Sequence, residues 1–274
     1  MQFTMNSDAQ QLGSEDVQYE VRGSVATITL NRSAKHNALT LAMLSQIGNL
    51  LDIVEASPDI RVVVLRGAGQ RFFCSGADIS EWGSLDAQAM GARFVRAGNR
   101  IFRRIAELEI PTIAVLRGNA LGGGLELALS CDFLIACASV EVGFPESTVG
   151  AIPGWLGCQR ISELVGPARA RSLVLLGESV DAVTAQAWGL LHKVASVECL
   201  DVEVDRICSV LASRSSTSLS VGKRLLRLVG ENAMDVAHEL AASVCKASPD
   251  AIEGVAAFRE KRPAVFSQLS QSRD

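Results

Sequence analysis

Over the first two thirds of the chain, apolar positions switch repeatedly between a period of two and a period near four, the mark of alternating strands and helices. Residues 17–21 and 25–30 alternate apolar and polar around Arg22, Gly23 and Ser24, which predicts strand, turn, strand. Thr40 is placed to cap a helix reaching about residue 56, with apolar residues at 41, 44, 47, 50, 51 and 54. Residues 61–65 form a continuous β-branched run and 112–116 repeat the pattern, so both read as buried strands. Residues 67–76 read as a glycine-rich turn, 87–108 as mostly helical, 125–130 as a short helix, and 133–136 and 140–144 as short strands. From about residue 155 the period stays helical, apart from a short apolar piece at 190–194. Helices are predicted over 181–188, 198–213, 217–229, 233–246 and 249–260. The chain therefore reads as α/β, with a loose tail at 1–16, a mixed core at 17–197 and a helical region at 198–274.

Composition agrees with a globular fold: 48% of the residues are apolar and 20% charged. The net charge of -4 and the pI near 5.5 argue against nucleic acid as a partner, because phosphate backbones need a basic surface. A mean hydropathy of +0.24 fits either apolar surface buried between subunits or an alanine- and valine-rich monomer core. Seven cysteines at scattered spacings, with no C-x-x-C, read as small buried thiols in a reducing compartment. The three histidines stand away from cysteine and carboxylate clusters, so no zinc site is expected. The polar N-terminal residues carry no apolar targeting segment, and no uncharged run approaches a membrane span. The expectation is a cytoplasmic protein with no membrane partner.

Three stretches carry candidate chemistry. In the first, a buried strand runs into Gly122, Gly123 and Gly124 and then a helix bearing Glu126. Glycines allow close backbone approach, and a helix start offers unpaired N–H groups, so the turn suits a phosphate or a developing oxyanion. It is not a dinucleotide fingerprint, since G-x-G-x-x-G is absent. A plain strand-to-helix turn is the bland alternative. The second stretch, from Cys74 through Gly76, Ala77, Asp78 and Ile79, also follows a strand and ends in a glycine turn. In the third, Glu146 follows Pro145, twenty residues beyond Glu126. Either glutamate alone would pass as an ordinary surface residue. Yet Glu126 lies in a strongly apolar run, where an unpaired charge is costly, so something polar should sit beside it.

Taken together, these stretches resemble the crotonase, or enoyl-CoA hydratase/isomerase, family. The likeness covers about 17–266. Asn31 to Leu39 resembles an early N-R-P-x-x-x-N-A-L segment, with Ser33 in place of proline. Residues 74–79 and 118–126 resemble two oxyanion-hole turns, 144–154 the segment bearing the second carboxylate, and 253–263 the C-terminal helix.

The resemblance implies a spiral of ββα units with a C-terminal all-helical oligomerisation region, assembled as a homotrimer or a dimer of trimers. It implies that the N–H groups of Ala77 and Gly123 form an oxyanion hole and that Glu126 and Glu146 are the catalytic acid/base pair. It implies an acyl-CoA substrate bound by Lys35, Ala77, Asp78, Ile79, Gly122, Trp155, Phe258 and Lys261. No metal or redox cofactor is implied; coenzyme A belongs to the substrate. Two glutamates point to hydration of a 2-enoyl-CoA. Isomerisation, another reaction of the family and non-catalytic acyl-CoA binding are the alternatives, and a two-carboxylate glycosidase is disfavoured by the few aromatic residues. One departure stands out. After Pro153 and Gly154, where many hydratases carry small residues, this chain has Trp155, Leu156, Gly157 and Cys158. Trp155 either reshapes the acyl pocket or packs outward, and Cys158 reads as a buried thiol.

Overall fold

A computed structural model describes residues 11–228 and 234–266. Two sheets are wound together. The larger has seven strands in the order β1 (Gln11–Gly13), β2 (Val17–Arg22), β3 (Val25–Leu30), β4 (Val62–Gly67), β6 (Thr112–Leu116), β8 (Phe133–Cys137) and β11 (Lys193–Ala195). Its first two pairings are antiparallel and the rest parallel. The smaller has four strands in the order β10 (Ser179–Asp181), β9 (Glu141–Gly143), β7 (Asn119–Leu121) and β5 (Phe72–Cys74), parallel except at β10. The chain gives one strand to each sheet and then a helix, three times over: β4 and β5, β6 and β7, β8 and β9.

The buried runs behave as their composition demands. Residues of β6 are buried throughout and those of β4 nearly so, because both faces of the large sheet are covered. Helix α1 (Leu41–Ala56) is capped by the Thr40 side chain, which accepts from the Met43 N–H, and buries Leu44, Ile47, Leu51 and Val54. The second covering segment begins with α2 (Ile79–Trp82) and α3 (Ala87–Ala89). It then winds through a π-helical stretch at Met90–Val95 into α4 (Arg96–Glu107), which buries Ile101, Phe102 and Ile105. Helix α5 (Gly123–Ala128) is buried along its whole length. Next come α6 (Gly157–Leu175), kinked at Gly166 before Pro167, and α7 (Ala182–Ala187). Helix α8 (Leu200–Ala212) packs its apolar face, including Leu200, Val204 and Ile207, on the large sheet.

Several expectations need correcting. The tail expected over 1–16 contains β1, which pairs with β2, while residues 1–10 lie outside the described part. The glycine-rich turn at 67–76 holds β5; β7 and β10 also went unpredicted. Each of these three strands has only three residues, too few for a period to register. The helix expected from about 155 starts at Gly157. The helical region expected from 198 includes α8, which belongs to the core. What stands apart is α9 (Ser216–Arg227), α10 (Met234–Ala247) and α11 (Pro249–Glu260), where α9 buries no residue and α11 only Ala257. The predicted ends at 229 and 233 fall outside the described residues.

Candidate active site

Strands β5, β7 and β9 are parallel neighbours, so their C-terminal ends lie side by side. The three sequence stretches leave from those three ends: Ser75 to Ala77 after β5, Gly122 and Gly123 after β7, and Phe144 to Glu146 after β9. This is where parallel sheets gather ligands. The first two turns touch. A Cβ built on Gly76 would stand 3.3 Å from the Gly123 nitrogen, and one on Gly123 would stand 3.3 Å from the Ala77 nitrogen. Neither the Ala77 N–H nor the Gly123 N–H donates to another described group. Gly123 is unpaired because it opens α5, whose first-turn N–H groups have no helical partner. Two free donors therefore flank one point.

The Asn31–Leu39 stretch braces the first of these turns. The Leu39 N–H donates to the Gly76 carbonyl and the Asp78 N–H to the Leu39 carbonyl, so a short parallel bridge holds Ala77 from both sides. The Ser75 N–H donates to the His36 carbonyl. Asn37 is fully buried. Its Nδ2 donates to the carbonyls of Ala68, Phe72 and Phe73 at 3.0–3.1 Å, and its Oδ1 accepts from the Arg32 N–H. It sits at φ +56°, a left-handed conformation that asparagine tolerates better than most residues. Arg32 reaches on to Asp78 at 2.5 Å. Asp78 also accepts from the Ser80 N–H and so caps α2. Burial alone would raise the Asp78 carboxyl, but Arg32 and Ser80 outweigh it and hold it below its ordinary value. The Asp78 carboxylate is thus paired within the protein, and Asp78 is not among the residues lining the cleft.

Both glutamates line one cleft. Glu126, on the first turn of α5, is only 1% exposed. Its Oε1 accepts from the Trp155 N–H at 2.6 Å and the Gly157 N–H at 2.8 Å. Leu156, between those donors, is held at φ +70°, which turns both N–H groups onto one oxygen. These bonds are the polar company that the apolar run around Glu126 required. Burial nonetheless dominates. It pushes the Glu126 carboxyl up to about 8 against the two backbone donors, with the charge of Glu146 adding to the rise and Arg160 opposing it. Glu146 sits in a 3-10 turn opened by Pro145, and burial pushes it up to about 7. Its Oε2 is buried without a hydrogen-bond partner in the protein. A Cβ on Gly122, at φ +53°, would stand 2.9 Å from Glu146 Oε1, so only glycine lets this carboxylate close over the turn.

Trp155 does not pack outward. It is 2% exposed and lines the cleft, with Phe94 and Phe102 each 5.2 Å away between ring centroids. The cleft, about 160 Å³, continues from the glutamates into an apolar part walled by Trp82, Met90, Phe94, Val95, Ile152 and Trp155. Met90, Phe94 and Val95 come from the π-helical stretch, a distortion that recurs at functional sites.

The structure thus brings together Glu126, Glu146, Ala77, Ile79, Gly122, Gly123 and Trp155 around one cleft. Lys35 and Ile79 are exposed, and Ile79 stands on the cleft rim. Phe258, 85% exposed, and Lys261, at the end of α11, are not among the residues lining the cleft. Cys158 is exposed rather than buried, as is Cys199, which corrects the expectation of uniformly buried thiols. Arg32 and Asn37, positions of the Asn31–Leu39 segment to which the sequence assigned no role, hold the first turn; Phe94 and Gly98, which the sequence did not single out, seat the indole of Trp155.

Turns of two strands and a helix wound in this way are the crotonase fold of the solved enoyl-CoA hydratases on which the chain superposes. The chain belongs to the enoyl-CoA hydratase/isomerase family, whose model matches residues 20–270. It is 35% identical to a crotonyl-CoA hydratase of Syntrophomonas wolfei, across 92% of this chain and 98% of that protein. It is 34% identical to a short-chain-enoyl-CoA hydratase of Clostridium acetobutylicum, across 89% and 94%. The crystal structure of an enoyl-CoA hydratase from Bacillus anthracis superposes with a TM-score of 0.87 at 32% identity, over 92% of this chain and 98% of that one.

Proposed function

We propose that this protein is an enoyl-CoA hydratase, adding water reversibly across the 2,3 double bond of an enoyl-CoA thioester. The observation that carries the reading is the pairing of a buried and a half-buried carboxylate, both pushed up towards neutrality, with two unpaired N–H groups in one cleft. The N–H groups of Ala77 and Gly123 receive the thioester oxygen as it gains enolate character, each contributing roughly 3 kcal/mol in the transition state. Near neutral pH the pair holds about one proton between its two members. The ionised carboxylate takes a proton from water as its oxygen bonds to Cβ, and the protonated one gives its proton to Cα. The pair ends with one proton still, its position exchanged. No metal or redox centre enters this step. The buried, unpartnered Oε2 of Glu146 suits a carboxylate reserved for that water.

The coenzyme A chain leaves over the rim at Ile79 with Lys35 nearby. Phe258 and Lys261 lie off their own cleft, so in this reading they serve the site of a neighbouring copy. Helices α9–α11 and the residues after them expose Leu226, Leu240, Val244, Ile252, Phe258 and Val265, an apolar surface that suits a homotrimer or a dimer of trimers. Among the described residues no helix is long and apolar enough to cross a membrane. The free thiols suit a reducing compartment, and the cytoplasm is the location proposed.

The test follows loss of the conjugated enoyl absorbance of crotonyl-CoA. The wild type turns over; Glu126→Gln and Glu146→Gln each lose hydration by at least about a hundredfold, the usual scale for a general acid or base. A Glu146→Gln variant that still isomerises 3-enoyl-CoA at full rate while the wild type never hydrates would identify an isomerase instead.

A further inference from the structure

The indole of Trp155 spans the floor of the cleft between two glycines. At one end, a Cβ on Gly123 would stand 2.5 Å from the indole Cζ3, so the six-membered ring lies directly under the oxyanion turn. At the other, a Cβ on Gly98 of α4 would stand 2.2 Å from the indole Nε1. Any side chain at 98 would force the ring towards the reacting atoms. Phe94 tilts against one part of the ring and Phe102 meets it edge-on, so the indole has no room to swing away. Its Nε1 is buried without a hydrogen-bond partner, so the ring is kept for its shape and not as a donor.

We propose that Trp155, seated by Gly98, is the specificity-determining residue that limits this enzyme to short-chain 2-enoyl-CoA substrates. An acyl chain whose carbonyl lies between Ala77 and Gly123 starts above the indole, and among the described residues the apolar space that adjoins it is the remainder of a cleft of about 160 Å³. Trp155, Phe94 and Val95 fill the volume that further methylenes would occupy. A small residue at 155 would join the slot above Gly98 to that space. The inference rests on the hydratase reading for its choice of substrate, but it concerns the ratio between chain lengths and not the reaction itself.

The experiment compares kcat/KM for crotonyl-CoA and trans-2-decenoyl-CoA in the wild type, Trp155→Ala, Trp155→Leu, Gly98→Ala and the Gly98→Ala/Trp155→Ala double variant. The wild type favours the four-carbon substrate. Trp155→Ala and Trp155→Leu raise the decenoyl-to-crotonyl ratio by at least about tenfold, since a few methylenes in an apolar pocket are worth that much. Gly98→Ala lowers crotonyl turnover in the wild-type background, and its effect shrinks or vanishes once residue 155 is alanine. Should Trp155→Ala fail to fold by circular dichroism, the ratio in Trp155→Leu decides. A ratio that stays unchanged in every folded variant, or a wild type as fast on decenoyl-CoA as on crotonyl-CoA, overturns the proposal and leaves the hydratase reading intact. A wild type inert on all 2-enoyl-CoA thioesters overturns the hydratase reading, and this proposal with it.

Discussion

The stability of Glu126→Gln relative to the wild type should rise steadily with pH. The side chain is 1% exposed, and burial pushes its carboxyl from about 4.5 up to about 8. Between those values the folded state holds a proton that the unfolded chain has released. The sign follows from linkage. Stability is fully present below the unfolded value, and it falls as pH climbs towards the folded value, by about 1.4 kcal/mol per pH unit. Integrated for one group, the loss between pH 5 and pH 8 is about 3 kcal/mol. Glutamine cannot titrate, and its amide oxygen can still accept from the Trp155 and Gly157 N–H groups. The stability difference between Glu126→Gln and wild type should therefore grow by about 3 kcal/mol over that interval. Glu146 remains in both proteins, so only the difference is diagnostic. Urea denaturation followed by far-UV circular dichroism at pH 5, 6, 7 and 8, at one fixed protein concentration, measures it. Denaturation midpoints of the two proteins that shift in parallel across this range would refute the argument, because Glu126 would then titrate alike in the folded and unfolded chains.

Three further outcomes follow from the same geometry. The pH profile of kcat/KM should be a bell, falling on the acid side as both carboxyls protonate near 7 and on the alkaline side as both ionise near 8; steady-state rates between pH 5.5 and 9.5 check it. Gly122→Ala would place a Cβ 2.9 Å from Glu146 Oε1 at φ +53°, so kcat should fall at least about tenfold, with roughly 1–3 kcal/mol of added backbone strain seen in thermal unfolding. Asn37→Ala would remove the partner of the Arg32 N–H and of three carbonyls, one buried and two part-buried, and put alanine at φ +56°, costing roughly 2–4 kcal/mol by denaturant titration.

Long buried strands and amphipathic helices were legible because period and composition point the same way there: β3, β4, β6, β8 and α1 lie within two residues of their expected bounds. Of the small sheet only β9 was legible, as a short apolar run; β5, β7 and β10 were not. Each of β5, β7, β9 and β10 has three residues, and their pairing depends on winding that no local window contains. The glycine turn, Glu126 and Glu146 could be named as candidates, since glycine clusters and a glutamate in an apolar run break local rules. What joins them is the small sheet, which the sequence reading did not include. Long-range partners were out of reach as well: Arg32, forty-six positions earlier, pairs with the Asp78 carboxylate. Trp155 stands between two readings in the sequence for the same reason. Nothing near it in sequence reveals that Gly98, on a helix fifty-seven positions earlier, leaves room for its indole.

The groups proposed to act on the thioester oxygen are backbone donors, and this explains why so much of the surrounding sequence is spent on holding backbone. An N–H cannot be re-aimed by choosing another rotamer; its direction is set by the turn that carries it. The Ala77 turn is accordingly tied on one side by the Leu39 bridge and on the other by the β5–β7 pairing, with Asn37 holding the loop ahead of β5. The Gly123 turn is tied by the Gly122 N–H to the Gly143 carbonyl, which is the end of the strand that delivers Glu146. One ladder of the small sheet therefore sets the spacing between oxyanion donor and carboxylate together. A shift of register at β7–β9 would misplace both at once, so the three-residue strands that were hardest to read are the ones on which the site's geometry depends.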